Sequence, residues 1–226
     1  MAIVKKYKAK VEEVTNPLPD IYTISFSSGK KFEYLPGQFL HLAIDEYDGI
    51  GQWPESRCFS MQSSPKEQIL KITFALKGNY TKRMADELHE GKEVWLKLPY
   101  GDLFSQAHSL NNCVFIAGGT GITPFLSLFT HESFNEYTNP RIYLGFRSNE
   151  YNIYDEVLKS SCNSSKFVKC FYENTEGVID IKSIFNDNGN TATYFISGPP
   201  LMIKSFKNFL LSKGLDENKI RTDEWE

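Results

Sequence analysis

Cys113-Val114-Phe115-Ile116-Ala117-Gly118-Gly119-Thr120-Gly121-Ile122-Thr123-Pro124 runs five apolar residues into a glycine cluster and then into a proline-bearing helix start. An unbroken apolar run of strand length reads as a strand buried on both faces, the interior of a parallel sheet covered by helices. Residues 122–131 then place apolar side chains at helical spacing. Glycines between such a strand and its helix allow a tight turn. They also let the main chain approach a pyrophosphate, whose charge the amides at the helix start can meet. A plain strand-to-helix turn would explain an isolated glycine pair. The density of this cluster, at the first strand–helix unit, favours phosphate binding.

Downstream, strands at 141–146, 166–172 and 193–196 alternate with helices at 153–160, 181–185 and 201–213. That alternation predicts an α/β domain with a doubly wound parallel sheet. Upstream the period is shorter. Residues 5–15, 21–28, 38–44, 57–62, 69–77 and 93–99 read as six strands, with the alternation clearest from Ile69 to Leu76. Asn16-Pro17, Ser28-Gly29 and Leu35-Pro36-Gly37 supply breaks. One helix at 82–89, with Met84, Ala85 and Leu88 on one face and Gly91 as its stop, interrupts the series. Six antiparallel strands at this spacing predict a small Greek-key β-barrel. The expected organisation is a barrel domain over 1–106 and an α/β domain over 107–226, linked through residues 105–112.

Composition removes several function classes. Twenty-five Lys and Arg stand against 28 Asp and Glu, a formal charge of -3, so there is no basic footprint for nucleic acid and no polybasic membrane patch. No stretch approaches the roughly 20 apolar residues that span a bilayer, and residues 1–14 lack the apolar core of a signal peptide. The expectation is a cytoplasmic chain without membrane insertion. Cys58, Cys113, Cys162 and Cys170 form no Cys-x-x-Cys pair and no ferredoxin-like ligand run, which predicts free thiols and no iron–sulfur domain in this sequence. Any one-electron partner is therefore expected to be a separate molecule. There is no Gly-Lys followed by Ser or Thr, no second His four residues after His131-Glu132, and no Gly-x-Ser-x-Gly elbow. His41, His89, His108 and His131 stand alone and read as surface or packing residues, so no metal site is expected.

Three further segments sharpen the reading: Arg57-Cys58-Phe59-Ser60-Met61-Gln62-Ser63-Ser64-Pro65, the Gly119–Pro124 run, and Ser197-Gly198-Pro199-Pro200-Leu201-Met202. In order and in kind of element they resemble the flavin motif, the nicotinamide-phosphate loop and the Cys-Gly-Pro-x-x-Met motif of the ferredoxin–NAD(P) reductase superfamily. The resemblance covers nearly the whole chain. It implies a flavin-binding barrel followed by a nicotinamide-binding domain. Carried over residue by residue, Arg57 serves the flavin phosphate and the Ser60 hydroxyl lies near the reactive N5, with Ser63 in the same run. Arginine suits a phosphate because its planar fork is always charged and bonds two oxygens. Phe59 stands where the family has a tyrosine, so stacking on the isoalloxazine survives without the phenol hydrogen bond.

Lys77-Gly78-Asn79-Tyr80-Thr81 resembles the second flavin element, which implies Gly78, Tyr80 and Thr81 at a pyrophosphate and favours FAD over FMN. Helix capping would explain Thr81 as well. In the second half the resemblance assigns Gly119, Thr120, Gly121, Thr123, Pro124, Gly198 and Pro199 to the nicotinamide nucleotide. Ser197 departs from the pattern: many relatives carry a more polarizable cysteine there, close to the nicotinamide C4. The ending Ile220-Arg221-Thr222-Asp223-Glu224-Trp225-Glu226 resembles the acid-x-aromatic terminus of bacterial and oxygenase-linked members, which puts Trp225 beside the flavin and Asp223 near Ser60 and the nicotinamide. For the choice of cosubstrate, Glu173 fits a free ribose hydroxyl and NADH, while Arg147 fits the phosphate of NADPH; the acidic 172–177 segment leans to NADH.

The activity implied is an FAD-dependent NAD(P)H oxidoreductase that moves hydride between nicotinamide and flavin. It would pass electrons to a separate ferredoxin, flavodoxin, cytochrome or oxygenase component. Two other readings stay open: a flavin reductase that uses free flavin as substrate, and a non-catalytic flavin- or nucleotide-binding regulatory subunit, to which Ser197 points.

Overall fold

In the first strand, exposed and buried residues alternate, with Tyr7, Ala9 and Val11 turned inward and Lys6, Lys8 and Lys10 outward. This period-two pattern is the signature of a sheet with one face against a core. The computed structural model describes residues 3–162 and 167–223 and divides into two compact units, Met1–Asp102 and Leu103–Glu226.

The first unit is a six-stranded antiparallel sheet: β1 (Lys5–Leu18), β2 (Ile21–Ser28), β3 (Phe39–Ala43), β4 (Ser56–Ser60), β5 (Leu70–Ala75) and β6 (Glu93–Tyr100), in the order β4-β3-β6-β1-β2-β5. Beyond β4 and β5 the two edges meet: the Gln62 amide donates to the Lys71 carbonyl at 2.8 Å, and the Lys71 amide to Ser63 Oγ at 2.9 Å. The sheet is thereby curled into a nearly closed barrel around Val11, Ile24, Phe26, Leu40, Leu42, Ile72 and Leu96, as expected. One break did not materialise. β1 runs through Asn16-Pro17, and a register irregularity between Thr15 and Leu18 absorbs the proline. Asn16 Nδ2 bonds the Leu18 and Ile21 carbonyls at 2.7 and 2.9 Å, and a proline at such a bulge costs no ladder bond.

The single helix, α1 (Asn79–Glu87), begins three residues earlier than its apolar spacing indicates. Its start is set by polar chemistry: Thr81 Oγ1, at N3, accepts from the Lys77 and Gly78 amides at 2.9 and 3.1 Å, which is the N3 half of a capping box.

The second unit alternates β7 (Cys113–Gly118), α2 (Thr123–Phe129), β8 (Arg141–Phe146), α3 (Asp155–Ser161), β9 (Phe167–Tyr172), α4 (Ile181–Asn188), β10 (Thr193–Ser197), α5 (Pro200–Ser212) and β11 (Ile220–Thr222). All five strands are parallel, in the order β11-β10-β7-β8-β9. Along β7, Cys113, Phe115 and Ala117 face a core that includes α2 and α3, while Val114 and Ile116 face one that includes α4 and α5. Both faces are covered, which is why the strand reads as continuous apolar sequence. Leu103 and Phe104 belong to this unit rather than to the barrel with which a boundary at 106 grouped them. Both pack in its core, the Phe104 ring 5.2 Å from Phe195. β11 was not anticipated. No helix among the described residues is long and apolar enough to cross a membrane.

Candidate cofactor and nucleotide sites

β4 carries the Arg57-to-Ser60 run along one edge of the barrel sheet, and α1 begins after β5. These segments line one pocket of about 630 Å³, formed by Glu55, Arg57, Cys58, Phe59, Lys77, Gly78, Asn79, Tyr80, Thr81 and Arg83. The volume falls in the ordinary small-molecule range. Five residues expected at a flavin therefore converge here: Arg57, Phe59, Gly78, Tyr80 and Thr81.

The Arg57 guanidinium lies over the Tyr80 ring at 4.9 Å and donates to the Ser56 carbonyl and to Glu55 Oε1, both at 2.9 Å. Tyr80 is itself pinned, its hydroxyl donating to the Leu42 carbonyl at 2.6 Å, and burial pushes its phenol pKa up. Phe59 is half-buried and packs towards Phe74, ring centroids 5.8 Å apart. A Cβ added at Gly78 would meet nothing within 4 Å. The protein's own packing gives no reason for glycine there. Bare main chain at the start of a nine-residue helix faces the pocket, as the close approach of a phosphate requires. The donor set fits a flavin phosphate.

Two expected flavin residues have structural duties. The Thr81 hydroxyl caps α1, as described above. Ser63 is 4% exposed, with its Oγ accepting from the Lys71 amide and lying 3.0 Å from the Tyr34 hydroxyl, so it seals the barrel rather than lining the pocket. Ser60 ends β4 opposite Phe39 and is not among the residues that line the pocket.

Within β4, Cys58 Sγ lies 3.6 Å from His41 Nε2, and the His41 ring sits edge-on to Tyr100 at 4.7 Å. Burial first, and then the Lys97 charge, hold the His41 pKa below its ordinary 6.5. With the folded value lowered, the unfolded chain binds the extra proton. His41's contribution to stability is therefore present above pH ~6.5 and lost as the pH falls towards the folded value. Urea midpoints measured between pH 7.5 and 5 should drop, and His41→Gln should flatten that slope; parallel slopes for both proteins would contradict the assignment.

In the second unit the chain order of the sheet reverses between β7 and β10, and at their C-terminal ends lie the Gly118–Gly121 and Ser197–Pro199 loops. Ligands of open α/β sheets bind at such a switch point. The glycines, however, have a purpose besides a phosphate. A Cβ on Gly121 would fall 2.5 Å from Gly198 Cα, and one on Gly118 would fall 2.9 Å from Pro199 Cδ. Gly121 lets the two loops abut main chain to main chain, and Gly118 makes room for the Pro199 and Met202 side chains. Gly119 is different: its φ is +55°, and a Cβ there would meet open space. Thr120 is half-buried; Thr123 and Pro124 are buried in the first turn of α2, with the Thr123 hydroxyl donating to the Thr120 carbonyl at 3.0 Å.

Ser197 is 2% exposed and its hydroxyl donates to Asp223 Oδ2 at 3.1 Å. β11 makes this pair: it lies alongside β10, and the Asp223 amide donates to the Ile196 carbonyl at 3.0 Å. Trp225 lies outside the described residues. Arg147 and Glu173, at the adjacent ends of β8 and β9, are both exposed; the Arg147 guanidinium lies over the Tyr151 ring at 5.4 Å, and the Glu173 amide donates to the Phe146 carbonyl at 2.9 Å. One cation and one carboxylate thus share this edge of the sheet. Among the described residues, no group of three or more His, Cys, Asp or Glu is placed to hold a metal ion.

Glu55, Cys58, Lys77, Asn79 and Arg83 line the pocket but were not expected there from the sequence. Glu55 had a signal, an acid two residues before the phosphate-type arginine; Arg83 had none, and it is engaged by Asp45 and Glu87.

No family model matches the chain. It is 26% identical over 213 residues to the reductase component of propane 2-monooxygenase from Mycolicibacterium smegmatis, covering 85% of this chain and 59% of that protein. It is also 26% identical over 244 residues to the sulfhydrogenase 2 subunit gamma of Pyrococcus furiosus, covering 96% and 82%. A ferredoxin NADP+ reductase from Neisseria gonorrhoeae, solved with bound FAD and NADP, superposes with a TM-score of 0.80 at 19% identity over 99% of both chains. The chain thus spans only about three fifths of the oxygenase-linked relative.

Proposed function

From a chain with the two-domain fold of the ferredoxin–NAD(P) reductase superfamily, we propose an FAD-dependent NAD(P)H oxidoreductase that delivers electrons to a separate protein. An oxygenase component or a ferredoxin is the acceptor favoured by the similarity to oxygenase reductase components. The observation that carries this reading is the convergence of Arg57, Phe59, Gly78 and Tyr80 on one pocket, each with the chemistry a flavin nucleotide needs.

Arg57, held flat by Tyr80, binds the phosphate. The amides at the start of α1 share its charge. Phe59 offers an apolar ring to the isoalloxazine, and Ser60 offers a hydroxyl to its edge. The loops after β7 and β10 take the nicotinamide nucleotide, with the Ser197 hydroxyl fixed by Asp223. Bound flavin supplies the hydride-accepting centre and the ability to pass electrons singly; the protein contributes orientation and electrostatics. NADH is the preferred cosubstrate, because the exposed Glu173 follows β9 next to the end of β8, where a 2′-phosphate would add further negative charge. Four free cysteines fit a reducing, cytoplasmic setting.

The test is anaerobic stopped-flow absorbance of the FAD-loaded protein against NADH and NADPH separately. Bleaching of the flavin band, faster with NADH, is expected; retained colour that neither nucleotide bleaches would hand the chain to the non-catalytic reading. Ser60→Ala should keep its flavin and lose roughly tenfold or more in reduction rate. An unchanged rate would remove Ser60 from the site.

A further inference from the structure

The carboxylate closest to the proposed phosphate-binding arginine belongs to Glu55, and the pocket's geometry makes it a rival for the same guanidinium. Arg57 Nη2 donates to Glu55 Oε1 at 2.9 Å while Nη1 donates to the Ser56 carbonyl at 2.9 Å, so both ends of the fork have protein acceptors. The Glu55 carbonyl lies 3.3 Å from the Tyr80 hydroxyl, whose proton goes chiefly to the Leu42 carbonyl at 2.6 Å. The same Tyr80 ring lies under the guanidinium. Arginine, acid and platform therefore form one assembly on the pocket wall. Arg83, the pocket's other guanidinium, offers no easy substitute: its Nε donates to Glu87 at 2.6 Å and its Nη1 to Asp45 at 2.9 Å.

A phosphate that takes Arg57 in two-point fashion must either displace Glu55 or lie beside it at like charge. We infer that Glu55 is a built-in competitor for the phosphate of the flavin nucleotide, one that lowers affinity and shortens residence in this pocket. The inference rests on the flavin reading of the pocket given above. It bears on whether the flavin behaves as a permanent group or as an exchangeable one, a property of this chain that the motif by itself does not fix.

The test is Glu55→Gln, which keeps the size of the side chain and removes its charge. Binding of FAD, FMN and riboflavin to wild type and variant is followed by flavin fluorescence at low ionic strength. Both carboxylate and guanidinium are about half exposed, so solvent and salt moderate the effect. The expected result is a Kd for FAD and FMN lower by about threefold to fivefold, a slower release rate, and no change for riboflavin, which has no phosphate. In an Arg57→Ala background the Glu55→Gln gain should vanish. Equal or weaker FAD binding by Glu55→Gln would overturn the inference, as would an equal gain for riboflavin, which would show the carboxylate acting by shape or by general charge. If wild type and variant bind none of the three flavins, the reading of the pocket falls, and the inference with it, by an outcome distinct from the other two.

Discussion

Gly121→Ala is expected to cost roughly 3 kcal/mol, the upper end for overpacking a tight contact. The new Cβ would lie 2.5 Å from Gly198 Cα, 2.6 Å from Gly198 N and 2.8 Å from Ser197 C. All three are main-chain atoms of a loop already fixed by β10, so no side chain can rotate away. For a chain of this size the loss corresponds to a fall in melting temperature of about 6–12 °C. Gly119→Ala is the control. Gly119, unlike Gly121, has a left-handed backbone, φ +55°, and its Cβ would meet nothing within 4 Å, so only the left-handed strain of about 1 kcal/mol remains. Differential scanning calorimetry of the two variants separates the causes. A Gly121→Ala shift no larger than that of Gly119→Ala would mean that the loop-to-loop contact does not require glycine at 121.

The second large effect is expected at the Ser197–Asp223 pair. Ser197→Ala and Asp223→Ala should each slow nicotinamide-driven flavin reduction by roughly tenfold to a hundredfold, the range for losing a hydrogen bond to a charged group. Each removes the same bond, 3.1 Å long and buried. The double variant should therefore be little slower than the worse single one. Asp223→Asn keeps an acceptor and should recover much of the rate. If the pair orients the nicotinamide, the loss will appear in the reduction rate at saturating NADH, with binding changed less. Multiplicative losses in the double variant would mean that the two residues act independently, and the pair would then have no joint role.

The strand–helix alternation was legible because buried parallel strands must be apolar on both faces, as β7 is. The α1 boundary was not, because Thr81 and Gly78 set it through hydrogen bonds that apolar spacing does not report. β11 escaped for a related reason: Ile220-Arg221-Thr222 is too short for any period, and it is a strand only because β10 offers it a free edge. Among site residues, Arg57, Phe59, Gly78 and Tyr80 came together in the pocket, since a motif written on one strand and one helix start survives folding as a unit. Ser63 did not join them; closing the barrel required its hydroxyl. The glycine cluster was located correctly but explained incompletely. Gly118 and Gly121 owe their identity at least partly to Gly198 and Pro199, some eighty residues away in sequence, and that partnership has no local signature. Glu55 carries the same lesson, since an acid beside a phosphate-seeking arginine reads as incidental until the two are seen bonded.

The position of β6 between β3 and β1 has a consequence for how the chain is born. Lys5 pairs with Leu98 and Lys10 with Glu93, so one side of β1 must wait for about ninety further residues before its partner exists. At ribosomal speeds of about 5–20 residues per second that wait lasts roughly 5–20 s, during which a bare strand edge is open to other nascent chains. Lys6, Lys8 and Lys10 project along that strand, and lysines on an open edge are a standing defence against strand addition by a stranger. Lys6, Lys8 and Lys10 are thus placed where lysines would guard a ladder that only the last strand of the barrel completes.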